Sequence, residues 1–209
     1  MRNKVFRFAI PALSLLGFSG HANAILVDFE DVLPFTAAPF TSQGVNFSAT
    51  GPNVVFPPGA NSGAGNGTNT FGWCGSFCGG VQVITASLPG GTPFSLQSID
   101  AGNLSDAGEP LGFRPGMMLE VLGNLSGGGT VSQSLTIIED VMTTFTLMGF
   151  NNLVSVEFTA PAVATGNPDP NIDNLLIEPF AVPEPGTLGL AVLGAMGIGW
   201  RARNRRFNF

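Results

Sequence analysis

The chain has 209 residues, little charge and a formal net charge of −6. Between residues 25 and 182 the sequence has one basic residue, Arg114, and thirteen acidic residues, which gives this stretch a formal charge of −12. Nucleic acids and anionic lipid headgroups are bound through clustered cations, so this composition argues against both kinds of partner. The only histidine, His21, and the only lysine, Lys4, precede this stretch. A histidine base, a Ser-His-Asp triad, histidine-ligated zinc and a Schiff-base lysine are thereby excluded from it.

The first 24 residues have the three parts of a secretory signal peptide. Basic residues open the chain at Arg2, Lys4 and Arg7. The apolar run 8–18 is too short for a hydrocarbon core of about 30 Å, which needs about 20 residues to cross. Small residues at Ala22 and Ala24 then suit a signal peptidase, so we expect cleavage before Ile25 rather than a retained anchor.

Residues 25–181 are predicted to form one all-β domain. Short apolar or alternating runs are separated by Gly, Pro, Asn and Asp, and no long stretch has helical periodicity. The predicted strands are 25–29, 45–50, 54–56, 81–87, 94–100, 118–122, 130–138, 143–147, 154–159 and 172–178. Strands at this spacing are typical of a two-sheet β-sandwich, and we expect a jelly roll. The Gly- and Asn-rich stretch 57–80 is predicted to be a long loop.

Cys74 and Cys78 lie near the end of that loop. In an oxidising compartment the default for two such cysteines is a disulfide, which would stiffen the loop. A metal site would lack further ligands. A redox-active pair is the other alternative, but three residues separate these cysteines where thioredoxin-like motifs have two.

Three segments of the domain resemble the jelly-roll domains that often precede a C-terminal sorting tail. They are Val27-Asp-Phe-Glu-Asp31, Phe145-Thr-Leu-x-Gly-Phe-x-Asn-Leu-x-Ser-Val-x-Phe158 and Ile172-Asp-Asn-Leu175. The opening Asp-Phe-Glu and the closing Ile-Asp-Asn also resemble calcium-containing sandwiches of adhesive and carbohydrate-binding type, which often place carboxylates of the first and last strands near one another. The resemblance implies a calcium site at Glu30, Asp31 and Asp173, and oxygen ligands of this kind suit calcium. The alternative is that these carboxylates face water at edges and turns.

A carboxylate-based glycoside hydrolase is a further alternative. Such enzymes use two carboxylates about 5 to 9.5 Å apart. Glu120, Glu139 and Glu157 are the candidates, although no local motif marks any of them as a nucleophile. No catalytic residue is therefore assigned.

Residues 182–209 have the layout of a sorting tail. Val182-Pro183-Glu184-Pro185-Gly186 opens it, and no charged residue follows until Arg201, Arg203, Arg205 and Arg206. A helix over 186–200 would rise about 22 Å, which makes it a marginal transmembrane span. The arginines would stay on the cytoplasmic side and leave the domain outside.

This tail resembles the PEP-CTERM sorting domain, which is processed by exosortases. The resemblance implies transient insertion into the inner membrane and delivery to the cell envelope, the cell surface or the extracellular matrix. We therefore expect an exported, non-catalytic protein associated with exopolysaccharide, with signal peptidase and exosortase as its processing enzymes. The alternative is a calcium-dependent carbohydrate-binding or adhesion module, and calcium is the only cofactor that the sequence suggests.

Overall fold

The computed structural model describes residues 23–51, 53–58, 66–73, 82–103, 117–138, 141–160 and 170–180. All of them belong to one compact unit, Ala22–Val182. The signal peptide up to Ala22, the Cys74–Cys78 pair, Glu139 and the whole sorting tail lie outside the described residues. Within the described ranges, no helix has the length and hydropathy to span a bilayer.

The described residues form twelve β-strands and one short 3-10 turn, Pro89–Gly91. The strands are β1 (Ile25–Val27), β2 (Phe40–Ser42), β3 (Val45–Thr50), β4 (Asn53–Phe56), β5 (Thr70–Trp73), β6 (Gln82–Ser87), β7 (Phe94–Asn103), β8 (Met117–Leu125), β9 (Thr130–Ile137), β10 (Thr143–Thr146), β11 (Leu153–Ala160) and β12 (Pro170–Pro179).

The strands pair antiparallel in two sheets. The first sheet has the order β2-β3-β6-β11-β8-β9. The second has the order β4-β5-β12-β7-β10, and β1 pairs with the second half of β12. The pairing of Leu153 with Phe94 connects the two sheets at β11 and β7. The domain is thus a jelly-roll-like β-sandwich, which confirms the predicted fold class.

One hydrophobic core lies between the sheets. Alternate residues of the first sheet face this core, such as Val45 and Phe47 of β3. In the second sheet, all four residues of β5 are buried. Phe29, Phe40, Phe47 and Phe71 form a phenylalanine cluster with ring centroids 4.9–6.3 Å apart. Aromatic pairs at such separations add stabilisation beyond the area that they bury.

All ten predicted strands are present, nine of them with shifted ends, but two strands were missed. The prediction of a loop throughout 57–80 is wrong for Thr70–Trp73, which forms β5 between β4 and β12. Thr-Phe-Gly-Trp has the composition of a strand, but a run of four residues among glycines and asparagines gives little periodicity. The other missed strand is β2, which has three residues and pairs with β3 across the turn at Gln43 and Gly44.

Gly123 of β8 offers a test of the side-chain packing on the core-facing side of the first sheet. A Cβ placed there would lie 2.7 Å from Leu153 Cδ2 and 2.9 Å from Val131 Cγ1. We expect Gly123→Ala to lower the free energy of unfolding by about 1–3 kcal/mol, the usual cost of overpacking. Urea denaturation measures this. Gly127→Ala is the matched control, because a Cβ at Gly127 would meet nothing within 4 Å; equal stability of the two variants would contradict the packing described.

Candidate functional site

Glu30 and Asp31, the two candidate carboxylates in the segment that follows β1, contact different parts of the domain. Phe29 is buried and has a φ of 56°, in the left-handed region that phenylalanine rarely adopts. The Val32 amide donates to the Phe29 carbonyl at 3.1 Å and closes a tight turn. Consequently Glu30 contacts the segment that precedes β5, whereas Asp31 contacts the β2–β3 turn.

Asp31 and Asp28 hold the β2–β3 hairpin. The Ser42 hydroxyl donates to Asp31 Oδ1 at 2.5 Å, and the Gln43 amide donates to Asp31 Oδ2 at 2.8 Å. The Gln43 side chain also donates to Asp28 Oδ1. Because both oxygens of Asp31 accept bonds from the hairpin, this residue positions β2 and β3.

Asp173 is the fully buried carboxylate of the described residues. Its Oδ2 accepts bonds from Asn66 Nδ2 at 2.7 Å and Thr68 Oγ1 at 2.6 Å, and its Oδ1 accepts from the Asn174 amide at 2.8 Å. The described ranges contain no Lys, Arg or His, so these donors are all neutral. Burial raises the pKa of Asp173 to about 6, and the hydrogen bonds offset part of that rise.

A break in the register of β12 accompanies this burial. The pairing with β7 shifts between Asp173 and Leu176, and Asn174 has a φ of 46°. Asparagine tolerates this conformation better than most residues. The Asn174 side chain then donates to Asp100 Oδ2 at 2.8 Å, and Thr144 Oγ1 donates to Asp100 Oδ1 at 2.5 Å. The bulge therefore joins β12, β7 and β10 through side chains.

Glu30 and Asp173 both contact the segment 66–69, part of the stretch that the sequence predicts to be a loop. The Asn69 amide donates to Glu30 Oε1 at 2.6 Å. The Asn69 side chain donates to the carbonyls of Phe29 at 3.1 Å and Val32 at 3.3 Å. The turn that follows β1 and the last strand, β12, thus both bind the segment 66–69. The signal in the sequence was the polar run Asn66-Gly-Thr-Asn69, directly before Thr-Phe-Gly-Trp.

The structure does not bring the three predicted calcium ligands together. Asp31 faces the hairpin, while Glu30 and Asp173 bind different residues of the segment 66–69. In the part of the chain that the structure describes, no three Asp, Glu, His or Cys side chains form a group that could hold a metal ion. The calcium site stays a prediction, with Glu30 and Asp173 as the pair that shares a contact segment.

A groove of about 400 Å³ lies where β2, β3 and β6 meet. It is lined by Pro39, Phe40, Thr41, Asn46, Phe47, Ser48 and Ser87. Phe40 stacks on Phe47, with ring centroids 5.4 Å apart and planes at 27°. Thr41 Oγ1 donates to Asn46 Oδ1 at 2.9 Å. Both rings pack on the core, and the hydroxyl and amide side chains of the groove lie on the opposite, solvent-facing side of the sheet.

The groove is part of the solvent-facing side of the first sheet, which we call the polar face. Cross-strand neighbours on it are mainly hydroxyl and amide residues: Asn46 beside Ser87, Ser48 beside Thr85, and Asn124 beside Ser155. The carboxylates of this face are Glu120 and Glu157, on the adjacent strands β8 and β11. Glu120 Oε1 accepts from Ser134 Oγ at 2.6 Å, and Glu157 Oε1 accepts from Asn124 Nδ2 at 3.1 Å.

Two of the three hydrolase candidates are thereby brought close together. Glu157 pairs with Leu122, and Glu120 pairs with Thr159, so the two glutamates are diagonal neighbours on the same face. Diagonal neighbours on a sheet have Cα atoms about 7–8 Å apart. Glu139 lies outside the described residues.

Solved structures similar to this chain include β-sandwich carbohydrate-binding domains. A family 29 carbohydrate-binding module has a TM-score of 0.40 at 14% identity, over 80% of this chain and 99% of the module. An arabinose-bound GH51 α-L-arabinofuranosidase has a TM-score of 0.49 at 15% identity, over 78% of this chain and 27% of the enzyme. An exo-β-agarase has a TM-score of 0.44 at 10% identity, over 79% of this chain and 26% of the enzyme. Likenesses of this size do not indicate a shared ligand.

No curated protein is significantly similar in sequence. The family model of the PEP-CTERM protein-sorting motif matches residues 181–206, the same region as the predicted sorting tail. This motif indicates processing by an exosortase, export, and sorting to the cell envelope or surface. The chain is therefore an exported protein that carries a PEP-CTERM sorting motif after a jelly-roll-like β-sandwich.

Proposed function

We propose that this protein is a non-catalytic component of the cell surface or extracellular matrix, held there by binding exopolysaccharide through the polar face. The observation that supports this most is the chemistry of that face, where hydroxyl and amide side chains neighbour one another from β3 to β8. Polysaccharides offer many hydroxyl groups, and repeated polar side chains can exchange hydrogen bonds with them.

The charge of the domain favours a neutral glycan over an acidic one. Residues 25–182 carry a formal charge of −12, so an anionic polymer would be repelled at low ionic strength. Neutral groups of the polar face are not subject to this repulsion. The expected interaction depends weakly on salt.

A catalytic role is disfavoured by the residues available. No histidine or lysine occurs between residues 25 and 182. Glu120 and Glu157 accept hydrogen bonds from Ser134 and Asn124, which suits a structural part in the polar face. We expect no new reducing ends when the protein is incubated with exopolysaccharide, and the double variant Glu120→Gln with Glu157→Gln should still bind it.

The proposal is tested by partition between matrix and buffer. The processed protein, purified from its host, is mixed with exopolysaccharide isolated from the same cells, and the bound fraction is measured by sedimentation. We expect enrichment with the polysaccharide at both low and moderate salt. Equal concentrations in the two phases would show that the domain does not bind this material.

Calcium-dependent glycan binding is the second candidate. It is supported by Glu30 and Asp173, carboxylates near the first and last strands that hold the same segment, 66–69. Bound calcium would stabilise the folded protein by mass action. We therefore expect a melting temperature several degrees higher in millimolar calcium than in EDTA. Magnesium at equal concentration is the control, and a melt that EDTA leaves unchanged would eliminate this candidate.

A further inference from the structure

The strand β9 forms one edge of the first sheet. Among the strands that the structure describes, it pairs with β8 alone, over its whole length from Thr130 to Ile137. We propose that this edge pairs antiparallel with β9 of a second copy of the chain, so that the first sheets of two copies become one continuous sheet. Self-association goes beyond the proposed function and does not require that the polar face bind a glycan.

The outer side of β9 presents backbone donors and acceptors. The Leu125 amide donates to the Gly129 carbonyl at 3.0 Å, which sets the first hydrogen-bonded pair of the β8–β9 hairpin. Hydrogen-bonded and non-hydrogen-bonded pairs alternate along an antiparallel ladder, and the β8–β9 register runs without a shift. The odd-numbered residues of β9 therefore bond to β8. The even-numbered residues direct their amides and carbonyls away from β8: Thr130, Ser132, Ser134 and Thr136.

The sequence of β9 lacks the features that usually protect an edge strand, which are lysine, proline, a bulge or a short length. It has eight residues, and none of them is charged, proline or glycine. The other sheet edges differ, because β2 has three residues and β10 has four. The outer side of β4 is already bonded, since the Val55 amide donates to the Thr36 carbonyl and the Val55 carbonyl accepts from the Phe35 amide. Of the described edges, β9 is the one most open to a further strand.

The sequence of β9 is also complementary to itself. If Gln133 lies on a two-fold axis, Ser132 of one copy lies opposite Ser134 of the other, and Thr130 lies opposite Thr136. The residues whose backbone groups face outward are then bonded to one another. Their side chains are exposed on the polar face and would meet as hydroxyl pairs, which stabilise neighbouring strands. A contact of this symmetry closes at two copies.

Exposed apolar side chains lie beside the same edge. Met148 is 77% exposed, and its amide donates to Gln133 Oε1 at 3.2 Å. Ile138 and Val141, which form a bridge directly after β9, are 54% and 47% exposed. Because Gln133 lies on the proposed axis, Met148 of each copy would lie near that axis. Burying these side chains between two copies would add hydrophobic stabilisation.

The distribution of charge permits two copies to meet at β9. Residues 25–182 carry a formal charge of −12, so two domains repel one another at low ionic strength. However, β9 is uncharged, and the charged residue of β8 is Glu120. The two copies of Glu120 would be three strand spacings apart, about 14 Å, which exceeds the Debye length of about 10 Å at 0.1 M salt. We therefore expect association to strengthen as the salt concentration rises.

The experiment is sedimentation equilibrium of the processed protein from micromolar to near-millimolar concentration, at low and moderate salt. Ser132→Pro removes an outward amide without removing a bond to β8. Ser132→Glu places two carboxylates about 7–8 Å apart as diagonal neighbours across the proposed pair. The matched control is Ser48→Glu, which adds the same charge to an exposed serine of β3 on the same face of the sheet.

We expect the wild type and Ser48→Glu to form dimers with a micromolar dissociation constant, since a contact centred on one strand pair is small beside the roughly 1,200–2,000 Å² of a standard interface. Both Ser132 variants should raise that constant at least tenfold. Their melting temperatures at low concentration, where all the proteins are monomeric, should match that of Ser48→Glu for at least one of the two. A wild type that stays monomeric throughout, variants that dimerise as well as the wild type, or assemblies that grow beyond two copies would each overturn the inference.

Discussion

Replacing Phe71 with alanine is expected to lower the free energy of unfolding by about 3–5 kcal/mol, the cost of emptying a large buried site. Phe71 is fully buried in β5, and its ring lies 4.9 Å from that of Phe40 and 5.7 Å from that of Phe29. The substitution removes both the buried area and these aromatic contacts. Urea denaturation at fixed pH measures the loss.

Phe35→Ala is the control for this prediction, because Phe35 is 69% exposed. An exposed site of this kind usually changes stability by about 0.5 kcal/mol or less. A similar, small effect for both variants would mean that β5 does not pack into the core. Since β5 lies in the stretch that the sequence predicted to be a loop, this comparison also tests the corrected assignment.

The second large effect concerns the pH dependence of stability and comes from Asp173. Its pKa is raised from 3.8 to about 6 in the folded protein, chiefly because the carboxylate is buried. The folded state therefore binds the proton more tightly than the unfolded state, so stability increases as the pH falls through 6 and is fully gained below 3.8. From pH 7.5 to 5.0 we expect Asp173 to contribute about 1.4 kcal/mol of added stability.

Asp173→Asn isolates this contribution. The amide cannot ionise, so the pH dependence of its stability should be flatter than that of the wild type by about 1.4 kcal/mol over the same range. Urea denaturation of both proteins at pH 5.0 and 7.5, in EDTA to exclude metal ions, gives the difference. Parallel curves for the two proteins would show that Asp173 is not buried as a carboxylate between Asn66, Thr68 and Asn174.

Strands in which apolar and polar residues alternate clearly could be predicted from the sequence. The candidate functional site could be predicted only in part. In β9, Leu135 and Ile137 face the core while Ser134 and Thr136 face solvent. This alternation predicts both that the segment is a strand and which of its side chains face the core. The buried strand β5 has no such alternation, because all four of its residues are buried. Its place was set by pairing with β4 and β12, which is a property of the whole fold.

The separation of Asp31 from Glu30 could not be read from the sequence. It depends on the left-handed conformation of Phe29, which the surrounding phenylalanine cluster holds in place. The groove depends on register, since its lining includes Asn46 of β3 and the residue opposite it on β6, Ser87. A sequence pattern identifies a strand more readily than it identifies the strands that pair with it. The separation of Asp31 from Glu30 and the groove both depend on contacts between segments that are distant in the sequence.

We propose that the exported β-sandwich is freed of its sorting tail and retained by exopolysaccharide. The most direct test is fractionation of native host cells, with an antibody against the domain to report where the protein lies and how large it is. We predict a shortened protein in the matrix or envelope fraction, released when the polysaccharide is removed. The full-length chain in the cytosol, or a processed chain that remains on cells stripped of polysaccharide, would contradict the account.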